Sequence, residues 1–244
     1  MIQNHEIDYF LHGEEMQCVE IELDPQETVI AEAGSFMYMD NGIEMQTIFG
    51  DGSQEQSGGF MGKLFCAGKR LLVGESLFMT AFTNVGQGKK KVSFASAYTG
   101  KIIVFDLKEL GGKIIAQKDA FLCAAKGVSI GIELQRKLGT GIFGGEGFIM
   151  QKLEGDGLAF AHAGGYIVEK DLQPGEVLKV DTGCVVAYTA GVDFDIEMVK
   201  GIKNFMFGGE GFFLADLRGP GKVWLQSLPI SRLAGRILQY GGST

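Results

Sequence analysis

The chain has 244 residues, of which 45% are hydrophobic and 21% are charged, values typical of a globular protein and not of a disordered one. Its formal net charge of −8 argues against general nucleic-acid binding, which needs a basic surface to displace counterions from phosphates. No apolar run approaches the roughly 18 residues of a membrane-spanning helix. The first six residues lack the basic start and apolar stretch of a signal peptide.

Glycine dominates the turn-forming residues, with 38 glycines against 4 prolines. This excess indicates many tight turns and bulges, as in a protein of short strands joined by hairpins. The four cysteines are widely scattered with no CxxC pair, which indicates reduced thiols in a cytosolic protein. They are Cys18, Cys66, Cys123 and Cys184.

Elements in the first half of the chain are predicted from periodicity. Val19, Ile21 and Leu23 alternate with polar or small residues, which predicts a strand with one inward and one outward face. The Gly/Ser/Gln-rich stretch 50–59 predicts a flexible loop. Residues 63–72 are a candidate helix.

The second half follows the same pattern. Residues 133–138 are a candidate short helix, and alternation at 192–198 predicts a strand whose acids, including Asp193 and Asp195, face outward. A final helix is predicted from Arg232 to Tyr240, with Ser231 as its N-cap.

An internal repeat organises the chain. Residues 143–157 (FGGEGFIMQKLEGDG) match residues 207–221 (FGGEGFFLADLRGPG), 64 positions apart, and residues 74–79 match 145–150. The sequence therefore predicts three tandem β-units, at 1–100 with an insertion at 50–59, at 101–165 and at 166–230, followed by a helical tail at 231–244. In this alignment Phe160 falls on Trp224, and Phe94 is placed at the same aromatic site.

The Gly-Glu turns recur in all three copies. Backbone amides in such turns could hold an anion, or the glycines could provide positive φ at bulges while each acid bonds a neighbouring unit. Recurrence of the acid favours the structural role, since one active site needs only one copy. The residues concerned are Glu75, Gly145, Glu146, Gly147, Gly209, Glu210 and Gly211.

Catalytic and ligand motifs are weak. Residues 139–144 match GxGxxG by letter, but a strand-like segment follows where a helix should begin, so a turn is expected. Cys184 with His162 is a conceivable nucleophile pair. Asp193 with Asp195 is a conceivable carboxylate pair, although a solvated strand face is the better interpretation. Three histidines at no ligand spacing predict no metal site, and no cofactor is predicted.

One segment combines apolar and basic side chains in an otherwise acidic protein. Lys63, Phe65, Lys69 and Arg70 could form a surface for an anionic membrane or a protein partner. The alternative is an ordinary amphipathic connection packed on the sheets.

Several of these motifs together resemble a widespread bacterial family whose eukaryotic relatives are the altered-inheritance-of-mitochondria proteins. The resemblance rests on residues 69–78 (KRLLVGESLF), the two FGGEG segments, and residues 219–229 (GPGKVWLQSLP). It implies three β-sandwich units similar to shortened double-stranded β-helices, like the subunits of the tryptophan RNA-binding attenuation protein. By analogy with that ring, three units per chain would close as a homotrimer.

The resemblance brings no catalytic residues, and fold likeness does not transfer RNA or tryptophan binding. We therefore expect a non-catalytic, cytoplasmic, ring-forming scaffold or interaction protein. This protein could associate peripherally with a membrane. A small-molecule sensor with pockets between the β-units is the alternative, and a hydrolase is a third hypothesis.

Overall fold

A computed structural model describes residues 6–32, 34–49, 78–136, 148–199 and 212–241 of the chain. Within these ranges the backbone forms four β-sheets, two single-turn 3₁₀ helices and one α-helix. The strand pairs are antiparallel. The fold is therefore all-β, as predicted.

Sheet I has four strands in the order β1-β2-β7-β4. Their bounds are β1 Asp8–His12, β2 Cys18–Leu23, β7 Lys90–Ala95 and β4 Phe36–Met39. Val19, Ile21 and Leu23 on β2 are completely buried, so the predicted inward face of this strand is confirmed.

Sheet II has six strands in the order β5-β6-β3-β10-β13-β8. Their bounds are β5 Ile43–Phe49, β6 Phe78–Asn84, β3 Thr28–Glu32, β10 Phe121–Ala125, β13 Leu158–Gly164 and β8 Gly100–Asp106.

Sheet III also has six strands, in the order β11-β12-β9-β16-β19-β14. Their bounds are β11 Ser129–Arg136, β12 Phe148–Glu154, β9 Lys113–Gln117, β16 Val185–Thr189, β19 Gly221–Gln226 and β14 Ile167–Leu172. Each strand number in sheet III is six higher than its counterpart in sheet II, so the topology repeats every six strands.

Sheet IV has three strands in the order β15-β18-β17, with bounds β15 Val177–Asp181, β18 Phe212–Arg218 and β17 Asp193–Val199. The 3₁₀ helices are Lys118–Ala120 and Thr182–Cys184, and the α-helix, α1, is Ile230–Gly241. Sheet IV has the order of the first half of sheets II and III, and the last three strands of sheet I have the order of their second half.

Three apolar cores lie between successive sheets. The first core joins sheets I and II around Phe82, Phe94 and Phe160. The second core joins sheets II and III and includes Phe105 and Trp224, whose rings meet edge to face at 5.0 Å. The third core joins sheets III and IV. The sheets therefore stack in numerical order.

A turn of the same construction joins β2 to β3 and β14 to β15. Glu27 Oε2 accepts a hydrogen bond from the Asp24 N–H at 2.8 Å, and Glu176 Oε2 accepts one from the Gln173 N–H at 2.9 Å. The residue before each glutamate has positive φ, 72° at Gln26 and 81° at Gly175. Glycine tolerates this conformation without strain, whereas glutamine does not.

Some details differ from the predictions. The candidate helix at 133–138 is wrong for residues 133–136, which continue β11 and pair with β12. Cross-strand pairing outweighs local helix propensity there. The predicted tail helix is confirmed, but Ser231 lies inside its first turn because α1 begins at Ile230. The candidate helix at 63–72 and the loop at 50–59 lie outside the described residues.

The sequence alignment that placed Phe94 opposite Phe160 and Trp224 is wrong by one residue. Phe160 pairs with Val104 and Cys123, and Trp224 occupies the same position between its neighbouring strands. In sheet I that position belongs to Ser93 and not to Phe94.

Replacing Trp224 with alanine is expected to lower the free energy of unfolding by about 3–5 kcal/mol, because a large buried side chain is lost from the second core. Chemical denaturation measures the change. Tyr166→Ala is the control, since Tyr166 is 67% exposed and its truncation should change stability by less than about 0.5 kcal/mol. Equal effects of the two substitutions would contradict the assigned core.

Candidate assembly surface

The site residues predicted from sequence fall where no structure is described. Lys63, Phe65, Lys69 and Arg70 lie outside the described residues. So do the Gly-Glu turn residues, which are Glu75, Gly145, Glu146, Gly147, Gly209, Glu210 and Gly211. The anion, membrane and structural roles considered for them stay predictions. The described residues point instead to two strands at the ends of the sheet stack.

The six-strand period gives each of the strands β2–β19 two counterparts. The register supports this, because β4, β10 and β16 each carry an irregularity at the same place in their pairing with β7, β13 and β19. Tyr38 thus corresponds to Cys123 and Ala187. The residue in each irregularity is Met37, Leu122 or Val186.

Strand β4 is exposed where its counterparts are buried. Phe36, Met37 and Tyr38 are 40%, 55% and 41% exposed, whereas all five residues of β10 are buried. In β16, Val185, Val186 and Ala187 have no exposed surface. The difference arises because β10 pairs with β3 and β16 pairs with β9, while β4 is an edge strand of sheet I.

Strand β15 is likewise exposed where its counterparts are buried, at the other end of the chain. Its counterparts are β3, which pairs with β10, and β9, which pairs with β16. Four of the five β3 residues are buried, but only Val180 is buried on β15. Lys179 stands at the position of Ile30 and Ile115, and Val177 is 48% exposed. We call β4 and β15 the end strands.

The outer face of sheet I, next to β4, carries a compact polar network. The Glu20 carboxylate accepts hydrogen bonds from the Tyr38 hydroxyl at 2.6 Å and from Lys91 Nζ at 2.7 Å. These donors hold the pKa of Glu20 below its usual value, with Lys91 the larger cause. The same bond to Glu20 raises the pKa of Tyr38. Glu20 is therefore a fixed negative charge at a largely buried position.

The third core is the least closed of the three. Val168 on β14 is 37% exposed, whereas its counterparts Val19 and Ile103 are buried. Lys170, which is exposed, stands at the position of Ile21 and Phe105. Val168 and Lys170 lie on the same face of β14 as Leu172, which belongs to the third core, so this part of the core-facing side of β14 is uncovered.

The two residues considered as a nucleophile pair do not interact. The Cys184 thiol accepts a hydrogen bond from Arg232 at 3.6 Å, and burial raises the pKa of this thiol. His162 stacks edge to face on Tyr98 at 4.5 Å, and neither of its ring nitrogens has a well-formed hydrogen bond. Cys184 is therefore not activated by His162.

The carboxylates on β17 behave as predicted. Asp193 and Asp195 are exposed on the outward face of sheet IV, so the interpretation as a solvated face is confirmed. Within the described ranges no cluster of three His, Cys, Asp or Glu side chains could hold a metal ion. Cys18, Cys123 and Cys184 are free.

Comparison with known proteins identifies the family. The family model described as "Mitochondrial biogenesis AIM24" matches residues 9–228. The chain belongs to this family. An uncharacterized protein of Streptococcus pyogenes serotype M6 is 32% identical over 227 residues, which cover 91% of this AIM24-family chain and 86% of that protein.

A solved structure has a similar fold. The X-ray crystal structure of a Streptococcus pyogenes protein from the Northeast Structural Genomics Consortium has a TM-score of 0.73 and 25% sequence identity. The match covers 96% of the AIM24-family chain and the whole of the solved chain. Among the described residues, no helix has the length and hydropathy to cross a bilayer.

We expect His162 to make the stability of this AIM24-family protein depend on pH. Burial lowers the pKa of His162 to about 4, and the backbone of Tyr98 partly opposes this shift. Because the unfolded chain binds the proton more readily, stability is fully present above about pH 6.5 and is lost as the pH falls toward 4. The loss should approach about 3 kcal/mol.

Thermal or chemical denaturation between pH 4 and 7 measures this loss, with His162→Gln as the comparison. The corresponding residue Gln226 accepts a hydrogen bond from the Gly164 N–H and donates one to the Gly183 carbonyl, so glutamine suits this environment. The free energy of unfolding of this variant should therefore change much less over this pH window than that of the wild-type protein. An unchanged pH profile in His162→Gln would show that other groups cause it.

Proposed function

We propose that this protein is a non-catalytic scaffold that self-associates head to tail into a closed ring, with a homotrimer as the expected size. The observation that carries the proposal is the pattern of exposure on the end strands. Strand β4, near the start of the chain, and strand β15, near its end, are exposed. Their counterparts inside the chain pair with each other, as β3 with β10 and β9 with β16.

The proposal treats strands β2–β19 as three copies of one six-stranded unit, namely β2–β7, β8–β13 and β14–β19. Each inner junction forms when the second strand of one unit pairs with the third strand of the next, as in β3–β10 and β9–β16. The last unit has β15 available for this role, and the first unit has β4. A ring pairs these two edges with each other, and covering an edge strand removes a template for uncontrolled aggregation.

Apolar surface supports self-association further. Phe36, Met37 and Val177 are large side chains at sheet edges, and each is at least 40% exposed. The resemblance to the ring-forming tryptophan RNA-binding attenuation protein agrees with this assembly, although it transfers no ligand. In this proposal the ring acts through its surface, as a platform for protein or peripheral-membrane partners.

Light scattering coupled to size-exclusion chromatography tests the proposal. The wild-type protein should have about three times the 26.3 kDa mass of one chain. Met37→Lys should shift the mass to that of one chain, because its counterparts Leu122 and Val186 are buried at the inner junctions and a charge there would be desolvated.

The matched control is Met16→Lys. Met16 is 67% exposed, but it lies in a bend before β2 and not on an end strand, so this variant should keep the wild-type mass. A wild-type protein that has the mass of one chain at all concentrations tested would rule out the ring.

A further inference from the structure

The two inner junctions share one register, which can be extended to the end strands. In the first, Ala31 lies opposite Cys123 and Ile30 opposite Ala124. In the second, Ala116 lies opposite Ala187 and Ile115 opposite Tyr188. The turn shared by Glu27 and Glu176 and the pairing of β15 with β18 place Val180 at the position of Ala31 and Ala116.

We propose that β15 of one copy pairs antiparallel with β4 of a second copy, with Val180 opposite Tyr38, Lys179 opposite Met39 and Leu178 opposite Asp40. This inference rests on the ring proposed above and specifies how its copies join. The partner surface is thus another copy of the same chain, and the joined strands make a sheet of the same order as sheets II and III.

The same correspondence gives the junction a polar contact that the inner junctions lack. In the second core, Phe105 packs on Trp224 of the following unit. At the end junction, Lys170 takes the place of Phe105 and Ser93 takes the place of Trp224. Glu20 is the direct cross-strand neighbour of Ser93.

Lys170 of one copy therefore lies beside Glu20 of the next. Glu20 already accepts bonds from Tyr38 and Lys91, so its charge is fixed before assembly. Lys170 has an exposed side chain on the uncovered flank of the third core. A lysine and a glutamate brought together at a partly buried position set the register of association and make it sensitive to salt.

Disulfide formation tests the register directly. Tyr38→Cys and Val180→Cys are combined in a chain in which Cys18, Cys66 and Cys184 are serine, and the protein is oxidised. Directly opposed residues on antiparallel strands have Cα atoms about 4.5–5.5 Å apart, within the span of about 4.4–6.8 Å that a disulfide bridges. The expected product on a non-reducing gel is a covalent ladder that ends at three chains.

Two controls bracket this result. Ala31→Cys should form a disulfide with the native Cys123 inside one chain, since these residues are opposed at the first inner junction. Tyr38→Cys combined with Lys179→Cys should give little product, because Lys179 faces the other side of β15. Equal crosslinking in the shifted pair would overturn the register.

Charge reversal provides a test that leaves the cores intact. Lys170→Glu should raise the concentration at half-assembly about tenfold or more, and the effect should shrink at high salt. Lys108→Glu, in the turn after β8, is the charge-matched control and should leave assembly unchanged.

Failure of the inference is distinguishable from failure of the ring. If light scattering gives an oligomer while Tyr38→Cys/Val180→Cys stays uncrosslinked and Lys170→Glu assembles normally, the copies join elsewhere and the inference is wrong. If light scattering gives one chain at every concentration, both the ring and this junction are wrong.

Discussion

Backbone N–H and C=O groups at the edge of a β-sheet need partners, and water or another strand must provide them. In this protein the inner junctions meet that need within the chain, because β3 pairs with β10 and β9 pairs with β16. The ends of the stack do not. The burial of every apolar side chain on β10 and β16, and the exposure of Phe36, Met37 and Tyr38 on β4, accompany this difference.

The end strands also explain how such a chain avoids indiscriminate aggregation. Charged residues stand where the inner junctions have apolar ones, with Lys179 at the position of Ile30 and Lys170 at the position of Phe105. Lysine on an exposed edge discourages pairing with arbitrary strands. On the proposed account these charges reduce the apolar surface of a lone chain while still allowing one specific partner, whose Glu20 is complementary.

Much of the fold was predictable from sequence because its signals are local. Alternation at Val19, Ile21 and Leu23 and the abundance of glycine are read directly from the residues. The helix predicted at 133–138 was wrong for residues 133–136, which gain more from pairing with β12 than from local propensity. The position of Ser93 was missed because matching residues by type favoured the neighbouring phenylalanine.

The candidate assembly surface was not predictable in the same way. Residues 36–39 (FMYM) read as an ordinary strand, since nothing in their composition distinguishes them from the buried strands 121–125 and 185–189. Only the pairing of the whole chain shows which copy lacks a neighbour. The predicted Gly-Glu turns and the basic segment around Lys69 lie outside the described residues, so their roles stay predictions.

Hydrogen–deuterium exchange at two protein concentrations tests the central claim, that the end strands are the two halves of one interrupted sheet. At a concentration where the protein is assembled, amides of β4 and β15 should be protected to a degree similar to those of β3 and β9, and dilution should release them selectively. Fast exchange of β4 and β15 at both concentrations, with the inner strands protected, would contradict the account.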